Sequence, residues 1–379
     1  MKFLHLGDLH LGKRVYGYSM LDDQRFALEQ VVRMAAQHQA DAVVIAGDIY
    51  DKTVPSGEAV SLFDWFFTQL CERNITVLAV SGNHDSGERL DFGKTLLSQQ
   101  GMHLIGTFDG TVASVTLTDR EQCRVQFHLL PWLRPMEWRE TMQLEQGTQQ
   151  CVMEAALART QWEHGTRHVL VAHTFVTVGG AMPEQSDSEI VPVGGVDAVD
   201  AALFDAYDYV ALGHIHRPQR LGRDSVRYCG SLLKYSFSEA GQEKSITVVE
   251  LKEKGSVDLR TIPLKPLHDL RKIRGTYLEV TAKSFYENRD CEDYLQVTLT
   301  DEEDVPDGMA KLRTIYPNLM RLEYDNKRTR SNAEVRAAER VEEKSELELF
   351  QEFYELQNNQ SMTEVQEQFV EELLRGMKE

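Results

Sequence analysis

An α/β fold with buried parallel strands is predicted by three features of the 379-residue sequence. Short apolar runs end in glycine plus a polar residue, stretches of helical spacing separate the first of them, and the same kind of ending recurs along the first 216 residues. Phe3 to Leu6 ends at Gly7-Asp8, Ala42 to Ala46 ends at Gly47-Asp48, and Ile75 to Val80 ends at Ser81-Gly82-Asn83-His84-Asp85. Between them, Leu28/Val31/Val32/Ala35 and Val60/Phe63/Phe66/Phe67/Leu70 carry helical periodicity, so the opening reads strand, helix, strand, helix, strand. Strands are then expected at Val112 to Leu117 and Val125 to Leu130, a helix from Val152 to Trp162, and two more buried strands. Val169 to Ala172 ends at His173, and Tyr209 to Leu212 ends at Gly213-His214-Ile215-His216. Because ligands bind at the carboxyl edge of strands in α/β sheets, convergence of these five endings on one rim is expected.

Residues 1–265 are read as this first domain. Residues 266–328 form a smaller α+β unit, with strands near Tyr277 to Val280, Tyr294 to Leu299 and Leu319 to Tyr324 and a helix near Met309 to Ile315. A linker at 329–344 precedes a helix-loop-helix at 345–379, in which Ser345-Glu-Leu-Glu348 and Ser361-Met-Thr-Glu364 are capping-box patterns. The apolar stripes of these helices are Leu349/Phe350/Phe353/Tyr354/Leu356 and Val365/Phe369/Val370/Leu373/Leu374.

A net charge of -19 excludes DNA binding by bulk attraction, so any nucleic-acid contact must use local patches or metals. Five cysteines (Cys71, Cys123, Cys151, Cys229, Cys291) without a C-x-x-C pair indicate neither a disulfide framework nor a zinc site. No apolar run reaches the ~18 residues needed to span a bilayer, and a soluble, unprocessed cytoplasmic chain is expected. Gly87 to Thr95 has five residues between its glycines where a phosphate-binding loop requires four.

The polar strand endings form a mixed oxygen and imidazole set of the kind that holds manganese, iron or zinc. Asp8 and His10, like His214 and His216, are one residue apart, so in an extended backbone each pair points one way. Asp48 can bridge two cations about 3.5 to 4 Å apart. Asn83 can offer a neutral oxygen, leaving His84 free for substrate, and Asp85 either orients His84 or caps the turn. Arg14, Lys52, Arg89 and Arg217 lie near these motifs and could touch phosphates, and Lys327-Arg328 with Arg330 forms a basic run after the smaller domain.

D-x-H, G-D, G-N-H-D, a lone strand-end histidine and G-H-x-H, all present, resemble the calcineurin-like metallophosphoesterases. Gly7-Asp-Leu-His-Leu-Gly12, Ala46-Gly-Asp-Ile-Tyr-Asp51, Leu212-Gly-His-Ile-His-Arg-Pro218 and Val226-Arg-Tyr-Cys-Gly-Ser231 are similar to the SbcD-type nuclease subunits within that family. The resemblance implies a four-layer sandwich with a DNA-capping domain and docking helices. It further implies one metal held by Asp8, His10, Asp48 and His216 and another by Asp48, Asn83, His173 and His214, with His84 contacting the scissile phosphate or protonating the leaving oxygen. The implied cofactors are two divalent ions, Mn2+ foremost and Mg2+ as the alternative. The implied activity is double-strand exonuclease and single-strand or hairpin endonuclease in DNA end processing. Partners implied are DNA, the SbcC ATPase in a heterotetramer of two copies of each subunit with the tail docked on its coiled coil, and a homodimer through the nuclease domain. A nucleoid-associated cytoplasmic location accords with these. Competing readings are a small-molecule or cyclic-nucleotide phosphodiesterase, for which the first domain suffices, and a non-catalytic scaffold, which would show broken ligand motifs.

Overall fold

Two six-stranded sheets pack face to face in the first part of the chain. In one, strands run in the order Val257–Pro263, Ser245–Leu251, Lys2–Leu6, Ala42–Ala46, Thr76–Val80, Met102–Ile105, the last four mutually parallel. In the other the order is Gln219–Leu221, Arg223–Tyr228, Tyr209–Gly213, Arg167–His173, Arg124–Leu130, Ala113–Thr118, the inner four parallel. This is the arrangement of the computed structural model, which describes residues 1–189, 198–329, 362–376 and the single positions 347, 350, 351 and 354.

The alternation of strand side chains assigns the layers. Phe3, Val44, Leu78 and Val80 meet Phe127, Val169, Val171 and Tyr209 between the sheets, with the Phe3 ring edge-on to Phe127 at 5.4 Å. The equally buried Leu4, Val43, Ile45 and Val77 face the other way, toward helices Leu21–Gln37 and Gly57–Cys71. The second helix starts where Ser56 accepts the Ala59 N–H at 3.3 Å, and it buries Phe63, Phe66, Phe67 and Leu70. Each such side chain contributes about 1.5–3 kcal/mol. On the far side of the second sheet, helix Gln149–Leu157 packs Val152, Met153 and Ala156 against Leu130, Leu170 and Leu212. The result is the expected four-layer α/β architecture.

Three expectations about elements are corrected. The helix anticipated to run to Trp162 stops at Leu157, because the Gln126 side chain holds the Gln161 carbonyl and the Glu163 N–H, both at 2.9 Å, in a non-helical segment. Tyr277–Val280 is a short helix instead of a strand, started by a reciprocal capping box between Thr276 and Glu279. The strand that completes the small sheet is Leu270–Gly275, just upstream. Third, the cap of the C-terminal helix Glu364–Gly376 is Thr363 with Gln366, two residues beyond the expected Ser361 pattern. The helix expected to begin at Ser345, the linker and Arg330 fall almost wholly outside the described residues.

The chain divides into compact units Met1–Asp269 and Leu270–Glu379, a boundary four residues beyond that read from the sequence. Lys265 belongs to the first unit through two bonds to the Gln30 amide, and His268 through its N–H to Asp23 Oδ1 at 3.0 Å. The second unit carries a parallel three-stranded sheet, Leu270–Gly275, Tyr294–Leu299 and Leu319–Tyr324, over a core of Ile273, Val297, Leu312 and Tyr316. No helix among the described residues is long and apolar enough to cross a membrane.

The two large sheets touch at their carboxyl ends through glycine. A Cβ on Gly213 would lie 1.9 Å from the Ala46 carbonyl oxygen of the opposite sheet, a backbone atom that cannot step aside. Gly213→Ala should therefore lower the thermal midpoint measurably, by the 1–3 kcal/mol or more typical of overpacking. A wild-type melting curve for Gly213→Ala would contradict this account of how the sheets meet.

Candidate metal centre

The endings of strands Lys2–Leu6, Ala42–Ala46 and Thr76–Val80 in one sheet, and of Arg167–His173 and Tyr209–Gly213 in the other, converge at that contact. The convergence is achieved differently from expectation. Instead of staying extended, the backbone turns left-handed at Asp8 (φ 52), His10 (φ 44), Asp48 (φ 49) and His214 (φ 109). Such conformations cost of order 1–3 kcal/mol each in a non-glycine residue and persist only where surroundings enforce them. For Asp8, His10 and Asp48 a backbone ladder does so, with the N–H groups of Asp8, His10 and Leu11 donating to the carbonyls of Gly47, Asp48 and Ile49 at 2.9–3.1 Å, and the His214 N–H is held by the Asp8 carboxylate. Gln24 adds to it by donating to the Leu9 and His10 carbonyls and accepting from the Gly12 N–H.

All seven expected ligands meet in this pocket. His10 Nε2 lies 3.0 Å from His216 Nε2 and 3.6 Å from Asp48 Oδ2. Asp48 Oδ2 is in turn 3.4 Å from His173 Nε2. Asn83 Oδ1 is 3.0 Å from His173 Nε2 and 3.2 Å from His214 Nδ1. Asp8 Oδ1 accepts the His214 backbone N–H at 2.9 Å. Three groupings have ligand atoms within 4.8 Å of one another, Asp8/His10/His216, His10/Asp48/His84 and Asp8/Asp48/His173, and any two of them share a residue, Asp8, His10 or Asp48.

Burial is the first electrostatic fact about these groups. It draws His214 down to about 3, aided by neighbouring His173, and holds His10, His173 and His216 below their ordinary range. Neutral imidazole is the form that ligates a metal. The His173 Nδ1–H donates to the Ala46 carbonyl at 2.9 Å, so its Nε2 lone pair points into the pocket. Burial, then the Asp48 charge, pushes the Asp8 carboxyl well above its ordinary value. Lone pairs and crowded carboxylates facing one another within hydrogen-bond distance form a donor set suited to two divalent cations.

His84 borders this set, its ring edge-on to His10 at 4.8 Å. Its Nδ1 bonds the Asp51 carbonyl at 2.9 Å and its backbone N–H bonds Asp48 Oδ1 at 2.9 Å, leaving Nε2 without either partner. Of the two roles weighed for Asp85, the turn cap is what the geometry gives. Its carboxylate accepts from the N–H groups of Ile49, Tyr50 and Gly82 at 2.9–3.1 Å, and the His84 ring is bonded to Asp51 instead. Burial and nearby Asp48 raise Asp85 to about 7.

Arg14, Lys52, Arg89 and Arg217 are all exposed. Arg14 reaches the Gly17 carbonyl and Arg217 pairs with Glu184, and in the second unit Arg328 pairs with Asp304. Sequence reading missed the supports of the centre. Trp132 stacks on His214, Tyr235 lies edge-on to His10 and His216, and Ser188, Glu239 and Lys244 lie behind His216. None stands in a motif, and only burial of Lys and Glu, invisible in a sequence, marks them.

A family model described as Calcineurin-like phosphoesterase matches residues 1–218, and one described as Type 5 capsule protein repressor C-terminal domain (SbcD_C) matches residues 266–358. Similar solved structures include TT1561 of Thermus thermophilus, at 14% identity and TM-score 0.38, covering 69% of this chain and 98% of that one. A dimetal phosphatase from Danio rerio matches at 13% identity and TM-score 0.41, covering 69% and 95%. Yfce, a phosphoesterase from E. coli, matches at 17% identity and TM-score 0.26, covering 66% and 88%.

Proposed function

The chain belongs to the calcineurin-like phosphoesterase family, matched over more than half its length, and from that premise we propose that it is the manganese-dependent DNA nuclease subunit of an SbcCD-type complex. That it is a metal-dependent hydrolase of phosphoester bonds follows from the family. The observation that carries the finer reading is the second match: the same chain joins the phosphoesterase domain to an SbcD_C domain at residues 266–358. A phosphodiesterase for small molecules needs only the first of these.

In this reading Asp8, His10, Asp48 and His216 hold one ion and Asp48, Asn83, His173 and His214 the other. Bound there, two divalent ions reduce the repulsion between an anionic nucleophile and the phosphodiester and make hydroxide available near neutral pH. The Asp51 carbonyl fixes the His84 Nδ1–H, so Nε2 is the atom that meets the phosphate or hands a proton to the leaving sugar oxygen. Exposed Lys52 and Arg89, with Arg14 and Arg217, supply phosphate contacts. In a chain this acidic they are local patches, and tight DNA affinity comes with the SbcC ATPase in the heterotetramer. The C-terminal helix offers that partner an apolar face in Phe369 and Leu373, 62% and 52% exposed. Both proteins act in the cytoplasm, at the nucleoid.

A homodimer through the nuclease domain is also proposed, and Phe92 and Leu96 serve it best. Phe63 and Phe67 of helix Gly57–Cys71 are buried in their own chain, whereas Phe92 and Leu96 are 85% and 70% exposed and four residues apart. A Phe92→Glu/Leu96→Glu variant should sediment as a monomer while turning over a small phosphodiester at the wild-type rate. A dimer that persists in the variant refutes this surface.

The function itself is tested by giving the purified chain manganese with linear duplex DNA, hairpin DNA or a chromogenic phosphodiester, with and without SbcC and ATP. Cleavage of both DNAs, stimulated by SbcC and ATP, is expected. Turnover of the small ester with no DNA cleavage under any condition would sink the nuclease reading.

A further inference from the structure

We infer that Ser188 and Glu239, backed by Lys244, are positioning residues that fix which nitrogen of His216 faces the metal centre. The inference rests on the reading of His216 as a metal ligand. Ser188 Oγ donates to Glu239 Oε1 at 2.6 Å and lies 2.8 Å from His216 Nδ1. A hydroxyl has one proton, and the carboxylate takes it, so Ser188 can only accept from His216. The imidazole proton therefore sits on Nδ1, and the Nε2 lone pair faces His10 Nε2 across 3.0 Å.

The far end of this chain is built to stay put. Glu239 Oε1 also accepts from Ser236 Oγ and the Tyr235 N–H, and Oε2 takes the Lys244 ammonium at 2.6 Å. Lys244 Nζ also has Ser231 Oγ, Gln242 Oε1 and the His216 carbonyl at 2.8–3.0 Å, three acceptors that share its two remaining protons. Glu239 and Lys244 are both buried. Replacing a buried ion pair by packed apolar groups is often neutral or stabilising, so stability alone is a poor reason for this one. Every member is instead one or two bonds from His216, whose backbone N–H is held by Glu189 Oε1 at 2.7 Å as well. A carboxylate that orients a ligating histidine is a recurrent device at metal sites, here with a serine hydroxyl inserted between the two.

The test is a manganese titration, by calorimetry and by the Mn2+ resonance signal, of the full-length wild type, Ser188→Ala, Ser188→Thr and Glu239→Gln. Ser188→Ala should weaken one of the two binding events about 10- to 100-fold and leave the other unchanged. Ser188→Thr, which keeps the hydroxyl, should restore it, and Glu239→Gln should fall on the Ser188→Ala side. Two wild-type affinities in Ser188→Ala, or a Ser188→Thr as weak as Ser188→Ala, would overturn the inference while leaving the metal centre intact. A wild type that takes up no manganese would instead overturn the metal-centre reading, and this inference with it.

Discussion

Asp48→Asn should reduce phosphodiester turnover by about a thousandfold or more at any manganese concentration. Asp48 Oδ2 stands 3.6 Å from His10 Nε2 and 3.4 Å from His173 Nε2, so one oxygen lies between the two ligand sets. The other, Oδ1, accepts the His84 N–H at 2.9 Å. With the proposed ligand assignment, this substitution would remove the charge that Asp48 would offer to both cations, and such cations contribute several kcal/mol of transition-state stabilisation, each 1.36 kcal/mol being tenfold in rate. Asparagine is chosen over alanine because the pocket is tight here: a Cβ on Gly82 would lie 2.1 Å from Asp48 Oδ1. Keeping the side-chain volume separates lost charge from collapse. Steady-state rates across a manganese series, beside melting curves, make the measurement. Wild-type turnover in Asp48→Asn or Asp48→Ala would refute the shared-ligand reading.

His84→Ala should keep both ions and lose about 100- to 10,000-fold in rate, the usual contribution of a placed proton donor. The two functions of this residue are separable because they use different atoms. Its contact with Asp48 is made by the backbone N–H, which alanine retains, whereas among the described residues the side chain bonds the Asp51 carbonyl alone. His84 is close enough to His10 and Asp48 to be counted as a possible ligand itself. The variant decides between these roles when rate and manganese binding are measured on the same preparation. Loss of rate with binding retained supports the proton donor, and loss of one ion makes His84 a ligand.

What was legible beforehand was the chemistry at the strand ends. Apolar runs ending at Asp8, Asp48, Asn83, His173 and His214 state both that a strand exists and that its carboxyl end is polar, and all of these residues meet in the pocket. That they come from two sheets was implied by the family resemblance and not by the strand pattern itself, because parallel buried strands read alike whichever sheet they join. Nor were the left-handed conformations at Asp8, His10, Asp48 and His214, which are imposed by hydrogen bonds to residues far along the chain. Tyr277–Val280 shows the limit at short range: four residues rich in strand formers became a helix because Thr276 and Glu279 cap each other. The layer behind His216 was silent for another reason. Ser188, Glu239 and Lys244 are ordinary surface types in sequence, and only folding brings the three to one imidazole.

The most direct test of the account is a crystal of the protein grown with manganese, with anomalous scattering recorded at the manganese edge. Two peaks are expected, one among Asp8, His10, Asp48 and His216 and the other among Asp48, Asn83, His173 and His214, with Asp48 touching both. A single peak, or two peaks of which one leaves Asp48 out, would contradict it.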